Sequence, residues 1–241
     1  MGLQTIINHC ETLNIDRRRV MGVQYTRSEI AKISETPTRN PWRLNLEISA
    51  GLQYSTNRAL LESIDYLDRK HTEDVSFGVA GGASPGLSFI FAYQGGLNQS
   101  QLNGITVASF SGNQLTLNLP NTITGASTVL FQSGDLLQIQ GSPYPFSVLG
   151  PATASGSSPT LGPVTYGQAQ VVGGQTQVIL TTHRPNFITA TVAGQGINVG
   201  NACIFRVFCP NMPTYKLNRG GPDAYITWTS GFQLYEYLGD A

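Results

Sequence analysis

Three histidines, three cysteines and a scatter of carboxylates are the side chains with chemical reach, and their spacing decides what they can do. His9, His71 and His183 have no His or Cys partner at a metal-ligand spacing. His9 and Cys10 are adjacent, and neighbouring side chains on a strand point to opposite faces. No metal site is expected from such a pattern. Cys203 and Cys209 fall on what reads as one strand, facing the same way but roughly 20 Å apart, too far to bridge. With Cys10 they form an odd, patternless set, which predicts free and mostly buried thiols made in a reducing compartment. The carboxylates that could serve hydrolysis are Asp16, Glu47, Asp65, Asp74, Asp135 and Asp223, but nothing in their spacing pairs them, and no Gly-x-Ser-x-Gly elbow occurs. Asp135 is the most suggestive, because no other charged side chain lies between Asp74 and Arg184. Its setting, Ser133-Gly134-Asp135, is also an ordinary turn in which the carboxylate accepts local N–H groups, and that reading carries more weight. Gly194-x-Gly196-x-x-x-Gly200 misses the spacing of a dinucleotide loop and reads as a hairpin or loop. These residues together predict a chain that is not an enzyme and uses neither cofactor nor metal.

Composition narrows the classes further. Of the 241 residues 12% are charged and 40% apolar, with zero net charge, against about 25% charged in an average soluble domain. Gly, Ser, Thr, Asn and Gln replace the missing charge, which suits strands joined by tight turns and surfaces that meet other protein. There is no basic excess for a nucleic-acid binder. The one basic cluster, Arg17, Arg18 and Arg19, reads as a solvated strand start or as an interface patch. No signal peptide, membrane span or anchor is expected, since no long apolar run occurs and Ile6 stands where myristoylation at Gly2 would need Ser or Thr.

The elements that must position these groups are strands. Alternation marks Met21–Tyr25 with a hairpin partner at 28–34, Leu44/Leu46/Ile48, Val75/Phe77/Val79, Leu87/Phe89/Phe91/Tyr93, Ile105/Val107 and Leu115/Leu117/Leu119. Gly81-Gly82, Gly95-Gly96 and Gly112-Asn113 punctuate them. Further strands are expected at 127–131, 135–140, 144–149, 175–182, 203–209, 224–229 and 232–237. The fold class is therefore all-β, an antiparallel β-sandwich or barrel. One flanking α-helix is expected over about 56–69, capped by Ser55-Thr56-Asn57, with Leu60, Leu61, Ile64 and Leu67 on its apolar face and the i,i+4 pairs Arg58–Glu62 and Asp65–Arg69. The charge distribution divides the chain into a core β domain (1–80 plus 171–241) and an inserted low-charge β region (81–170), with a flexible loop at about 150–163.

Two further features point to contact surfaces. In His183-Arg184-Pro185 the proline ends a strand, leaving Arg184 able to reach a carboxylate across an interface or to sit in a solvated turn. Tyr225, Trp228, Phe232, Tyr235 and Tyr237 crowd the C-terminus, split between two sheet faces. Arg17, Arg18, Arg19, Trp42, Arg184, Trp228 and Tyr235 are accordingly the candidate interface residues.

Two blocks carry a resemblance. The first comprises Arg17-Arg18-Arg19-Val20 through Asn40-Pro41-Trp42-Arg43, Tyr54-Ser55-Thr56-Asn57-Arg58 and Leu67-Asp68-Arg69. The second comprises His183-Arg184-Pro185, Cys203 to Val207, Met212-Pro213-Thr214-Tyr215 and Ile226 to Leu238. Together, over about half of the chain, they resemble tail and baseplate structural proteins of large tailed bacteriophages. The resemblance implies a tail-tube or tube-initiator-like subunit: a β-barrel or sandwich with one flanking helix, closing into a ring, a hexamer by expectation, through strand edges. Its partners would be copies of itself and other tail-tube, baseplate or sheath proteins, and it would be made in the host cytoplasm and reside in the virion. The alternatives are a receptor- or carbohydrate-binding tail module using the aromatic C-terminal face and, for want of catalytic groups a weaker one, a wall-degrading enzyme.

Overall fold

Alternating apolar residues build the first sheet. In the computed structural model, which describes residues 2–17, 21–25, 31–35, 39–48, 52–66, 71–78, 87–120, 123, 129–153, 169–172 and 175–239, the strand Arg43–Ile48 buries Leu44, Leu46 and Ile48 and exposes Asn45 and Glu47. It lies second in a five-stranded antiparallel sheet, ordered Cys10–Asp16, Arg43–Ile48, Phe232–Glu236, Ile204–Phe208 and Thr72–Ser76. Leu13 stands opposite Leu46 and Ile15 opposite Leu44, while Phe232 and Leu234 flank the same two leucines from the other side. The apolar face so formed packs against Trp42, Phe77, Phe91 and Phe205 and against Leu60 and Ile64 of the helix Tyr54–Asp65. Phe77 and Phe91 meet edge-on with centroids 4.9 Å apart, a favoured aromatic geometry.

A short helix, Leu3–Asn8, unmarked by the sequence reading, closes one edge of this sheet. Its first N–H groups, on Leu3 and Gln4, donate to the Glu73 carboxylate at 2.7 and 3.3 Å. The Gln4 amide donates to the Ser76 carbonyl oxygen at 3.0 Å and accepts from the Ser76 N–H at 2.8 Å. The amide thus occupies the place of a strand partner, one way of blunting a sheet edge.

The longer helix begins at Tyr54, two residues before its expected start at about 56. Gln53 is the N-cap residue and makes no side-chain cap bond. The Ser55 N–H and hydroxyl instead donate to the carboxylate of Asp223, 168 residues away, at 3.3 and 2.7 Å. A long-range carboxylate thus supplies what the local Ser-Thr-Asn run was expected to give. Arg58 and Glu62 pair as the i,i+4 spacing implied, at 3.2 Å. Leu67 and Arg69 lie outside the described residues, as do Val79, Gly81-Gly82 and residues 154–163 of the loop expected at about 150–163.

A second core collects Leu97 through Ile197. Around it run the strands Gln175–Thr181, Gln114–Asn118, Thr106–Ser111, Ile197–Val199, Leu136–Ile139 and Pro145–Ser147, paired antiparallel. The bridges Thr106–Gly196 and Val148–Thr182 join the remaining neighbours, so the strands form a closed, barrel-like circuit. Packing carries this core beyond residue 171, where the charge distribution sets its boundary: Val178, Leu180 and Ile197 are buried in it.

The fold is all-β, and the sequence reading errs within it at one expected strand and at several missed elements. Residues 87–93 do not form a strand; Ser88–Phe91 is a single 3-10 turn. Leu87 and Ile90, three apart, and Phe91 face the first core, while Phe89 is exposed, so a period of three prevails over the apparent alternation. The strands Cys10–Asp16 and Tyr215–Gly220 were not expected, because both are polar edge strands with little apolar alternation.

Candidate functional site

Three of the candidate residues converge where the two cores meet. Arg184 follows the strand Gln175–Thr181 and is completely buried. Its Nη1 and Nη2 donate to the two carboxylate oxygens of Glu236 at 2.6 and 2.7 Å, a bidentate fork. The same nitrogens donate to the carbonyl oxygens of Asn40 at 3.2 Å and Pro145 at 2.9 Å. Glu236 also accepts the Trp42 backbone N–H at 3.0 Å, and the Trp42 indole donates to the Pro145 oxygen at 3.1 Å. Phe146 and Phe187 lie against the guanidinium, their centroids 5.0 and 4.8 Å from Cζ, and the Arg17 guanidinium lies 5.3 Å from the Trp42 ring.

Each partner has a local reason for its position. Phe232, Leu234 and Glu236 alternate onto the buried face of one strand, so a carboxylate enters the core in register with two apolar residues. Pro145 and Phe146 come from the barrel, and Trp42 precedes the second strand of the first sheet, Arg43–Ile48. The fork therefore ties the second core to the first. A buried pair of this kind is held by the hydrogen bonds around it, since desolvation offsets much of the Coulomb attraction.

His183 completes the cluster. Its ring sits 5.2 Å from that of Trp42, and Nδ1 accepts the Ser147 N–H at 2.9 Å, which assigns the proton to Nε2. Burial, then the Arg184 and Arg17 charges, push its pKa down to about 3. The imidazole is neutral, and its Nε2 and the Arg184 Nε are buried without hydrogen-bond partners among the described residues. Guanidinium and carboxylate hold one another in a bidentate fork that backbone groups complete, so the cluster has the chemistry of a clasp and not that of an acid–base pair.

The other candidates lie elsewhere. Trp228 is half-buried between Tyr215 and Phe232, at centroid distances of 5.4 and 4.9 Å. Tyr235 stacks at 6.0 Å on Phe208, beside a shallow cleft that also involves Asn14, Asp16 and Arg43. Arg18 and Arg19 lie outside the described residues. Trp42 and Arg184 make their contacts within the chain. Sequence reasoning missed Glu236, although a lone carboxylate on the inward phase of Phe232-x-Leu234-x-Glu236 was a visible signal. Asp135 follows the turn reading in part: its carboxylate accepts the local Gln132 N–H at 2.7 Å, but also the N–H of the distant Gln94 at 2.9 Å, while burial raises its pKa.

A second region stands out for exposure. Tyr215–Gly220 and Asp223–Trp228 form a hairpin joined by Gly221-Pro222, with Gly221 at φ +74° as the first residue of the two-residue turn. The ring of Tyr225 lies on Gly220, where a Cβ would come within 2.0 Å of a ring carbon. Leu217 and Tyr225 are 48% and 40% exposed. Below the hairpin, Ile64, Asp65, Met212, Pro213, Thr214 and Tyr215 line an open cleft of about 360 Å³, where the Tyr215 hydroxyl donates to Asp65 at 3.3 Å.

Among the described residues no three His, Cys, Asp or Glu side chains are placed to hold a metal ion, the cysteines are free and buried, and no helix is long and apolar enough to cross a membrane. No protein-family model matches the chain, and no curated protein matches it.

Proposed function

We propose that the chain is a non-enzymatic structural subunit of a bacteriophage tail or baseplate, assembling with copies of itself into a ring, six-membered by expectation, in or around the tail tube. The observation that supports this reading is the uneven treatment of the sheet edges. One edge of the first sheet is blocked by the Leu3–Asn8 helix, whereas the Cys10–Asp16 edge and the outer strand of the C-terminal hairpin pair on one side only among the described residues. Soluble monomers protect such edges, and a subunit that polymerises through strand pairing needs two of them. The clasp between the cores supplies the stiffness such a part requires. Light scattering across a range of concentrations, followed by electron microscopy, tests the reading: rings or stacked rings are expected, and a monomer at every concentration would overturn it.

The second reading, a receptor- or carbohydrate-binding module, draws on the exposed Tyr225 ring and the Asp65–Tyr215 cleft, since an aromatic face beside a carboxylate suits a sugar. Tyr225→Ala is the informative variant, because Trp228 also packs on the core. Glycan-array binding lost in that variant, with its mass in solution unchanged, would favour this reading.

A further inference from the structure

The hydrogen-bond phase of both open edges can be read from single bonds. Thr229 N–H donates to the Thr214 oxygen at 2.9 Å, so the pair 214/229 is a hydrogen-bonded one. Alternation along the antiparallel register then turns the N–H and C=O groups of Lys216 and Asn218 inward and those of Tyr215, Leu217 and Arg219 outward. On the first sheet, Glu236 N–H donates to the Trp42 oxygen at 2.9 Å. By the same alternation, Leu44 and Leu46 bond to the Phe232–Glu236 strand, while Arg43, Asn45 and Glu47 bond to Asp16, Asn14 and Thr12. Leu13 and Ile15 therefore point their backbone groups outward.

We infer that the Tyr215–Gly220 edge of one copy pairs antiparallel with the Cys10–Asp16 edge of the next, with Leu217 opposite Ile15. This rests on the assembly reading above and names its interface. In that register every outward backbone group meets an outward one. Leu217, nearly half exposed in the single chain, comes to lie beside Ile15, which is only partly covered, and so extends the apolar face of the five-stranded sheet. Asn218 faces Asn14, and Lys216 faces Asp16, whose carboxylate also lies 3.9 Å from Arg43 of its own chain. Within the strands each edge carries one sign of charge: the Tyr215–Gly220 strand carries Lys216 and Arg219 and no acid, and the Cys10–Asp16 strand carries Glu11 and Asp16 and no base, Arg17 following at its end. Opposite charges on facing strands attract and like charges repel, so each edge accepts the other and rejects its own kind. The contact is heterologous, as a ring requires.

The register is tested by disulfide trapping. Asn14 and Asn218 would form a non-hydrogen-bonded pair, whose Cα separation of about 4.5 Å is within the range a disulfide spans, and the three native thiols are buried. Full-length Asn14→Cys and Asn218→Cys chains, each confirmed folded by circular dichroism, are mixed under mild oxidation. A reducible covalent dimer is expected from the mixture and not from either variant alone, and the double variant should give a ladder ending at the ring size. Lys216→Asp should abolish assembly, and combining it with Asp16→Lys should restore it. Assembly without the cross-link, and indifferent to Lys216→Asp, would overturn this interface while leaving the ring reading standing. A protein that never assembles would overturn both.

Discussion

Around the first core several of the anchoring polar contacts are made by ions; around the second, Asp135 apart, they are made mainly by amides. Arg206 forks onto Asp74 at 2.8 and 3.0 Å, Glu73 holds the Leu3–Asn8 helix, and Asp223 anchors the Tyr54–Asp65 helix. The barrel instead uses Gln177 to Asn118 at 2.8 Å, Asn113 to the Thr182 oxygen at 3.1 Å and Asn186 to the Phe110 oxygen at 3.0 Å. Its short helix Gln99–Asn103 carries a capping box made of Asn98 and Gln101, the neutral counterpart of an acidic cap. An amide both donates and accepts, so it can satisfy backbone on either side without a long-range field. A surface built that way neither repels nor selects by charge and can approach another protein closely. The ion-rich half keeps the charges that would choose partner and register.

The largest test of that division is the clasp that joins the halves. Arg184→Met should cost about 3–5 kcal/mol in urea unfolding, because it strands the Glu236 carboxylate in the interior. Two separate transitions should appear, the barrel outlasting the ionic half, if the clasp is what couples the two cores. Arg184→Met combined with Glu236→Leu should recover most of the loss. A single unchanged transition in Arg184→Met would break the comparison, for then the cores unfold as one without it.

Acid should act through His183, at the same junction. Its folded-state pKa, about 3, is depressed below the ordinary value near 6.5. At pH 7 both states are neutral and nothing is lost. As the pH falls below about 6.5 the unfolded chain takes up a proton that the folded one refuses, so stability declines until the pH nears 3. The slope from this one group approaches about 1.4 kcal/mol per pH unit. Asp223, held down chiefly by the Ser55 hydroxyl, adds a loss in the same direction nearer pH 4. Asp135, raised by burial, works the other way and favours the folded barrel as it gains a proton. Urea midpoints of wild type and His183→Asn between pH 7 and 4 check this: the asparagine variant should show the shallower fall.

In the neutral half the corresponding perturbation is small. Asn98→Ala removes the side-chain acceptor of the Gln101 N–H, which lies at 3.0 Å, and should cost about 1 kcal/mol, the ordinary worth of a cap, at any pH between 5 and 8.

What the sequence disclosed follows the same division between local and long-range causes. Strands such as Arg43–Ile48 and Gln114–Asn118 were legible because one face is buried and alternation follows. The Arg58–Glu62 pair was legible because four residues set it. The fork of Arg184 on Glu236 spans 52 residues and the Asp223 cap of Ser55 spans 168, and no periodicity encodes such distances. Trp42, Arg17 and Arg184 were each named as candidate interface residues, but that they share one cluster is a property of the topology. The Tyr215–Gly220 strand escaped because its side chains are mostly exposed, which is the reason it is available as an edge.

The smallest expected effect separates the halves by salt. Arg206→Gln removes the fork to Asp74, whose two side chains are about one-third and nearly one-half exposed, so the loss should be only about 0.2–1 kcal/mol at low ionic strength. At 1 M salt, where the Debye length is about 3 Å, most of that difference should vanish. Gln177→Ala in the barrel breaks a bond of similar length between neutral groups and should cost about 0.5–1.5 kcal/mol whatever the salt. Thermal unfolding of both variants in 0.05 M and 1 M sodium chloride measures this directly. If the two respond to salt alike, the contrast between an ionic and an amide half has no energetic content, and the low charge of the barrel must be explained by what it touches and not by how it is held.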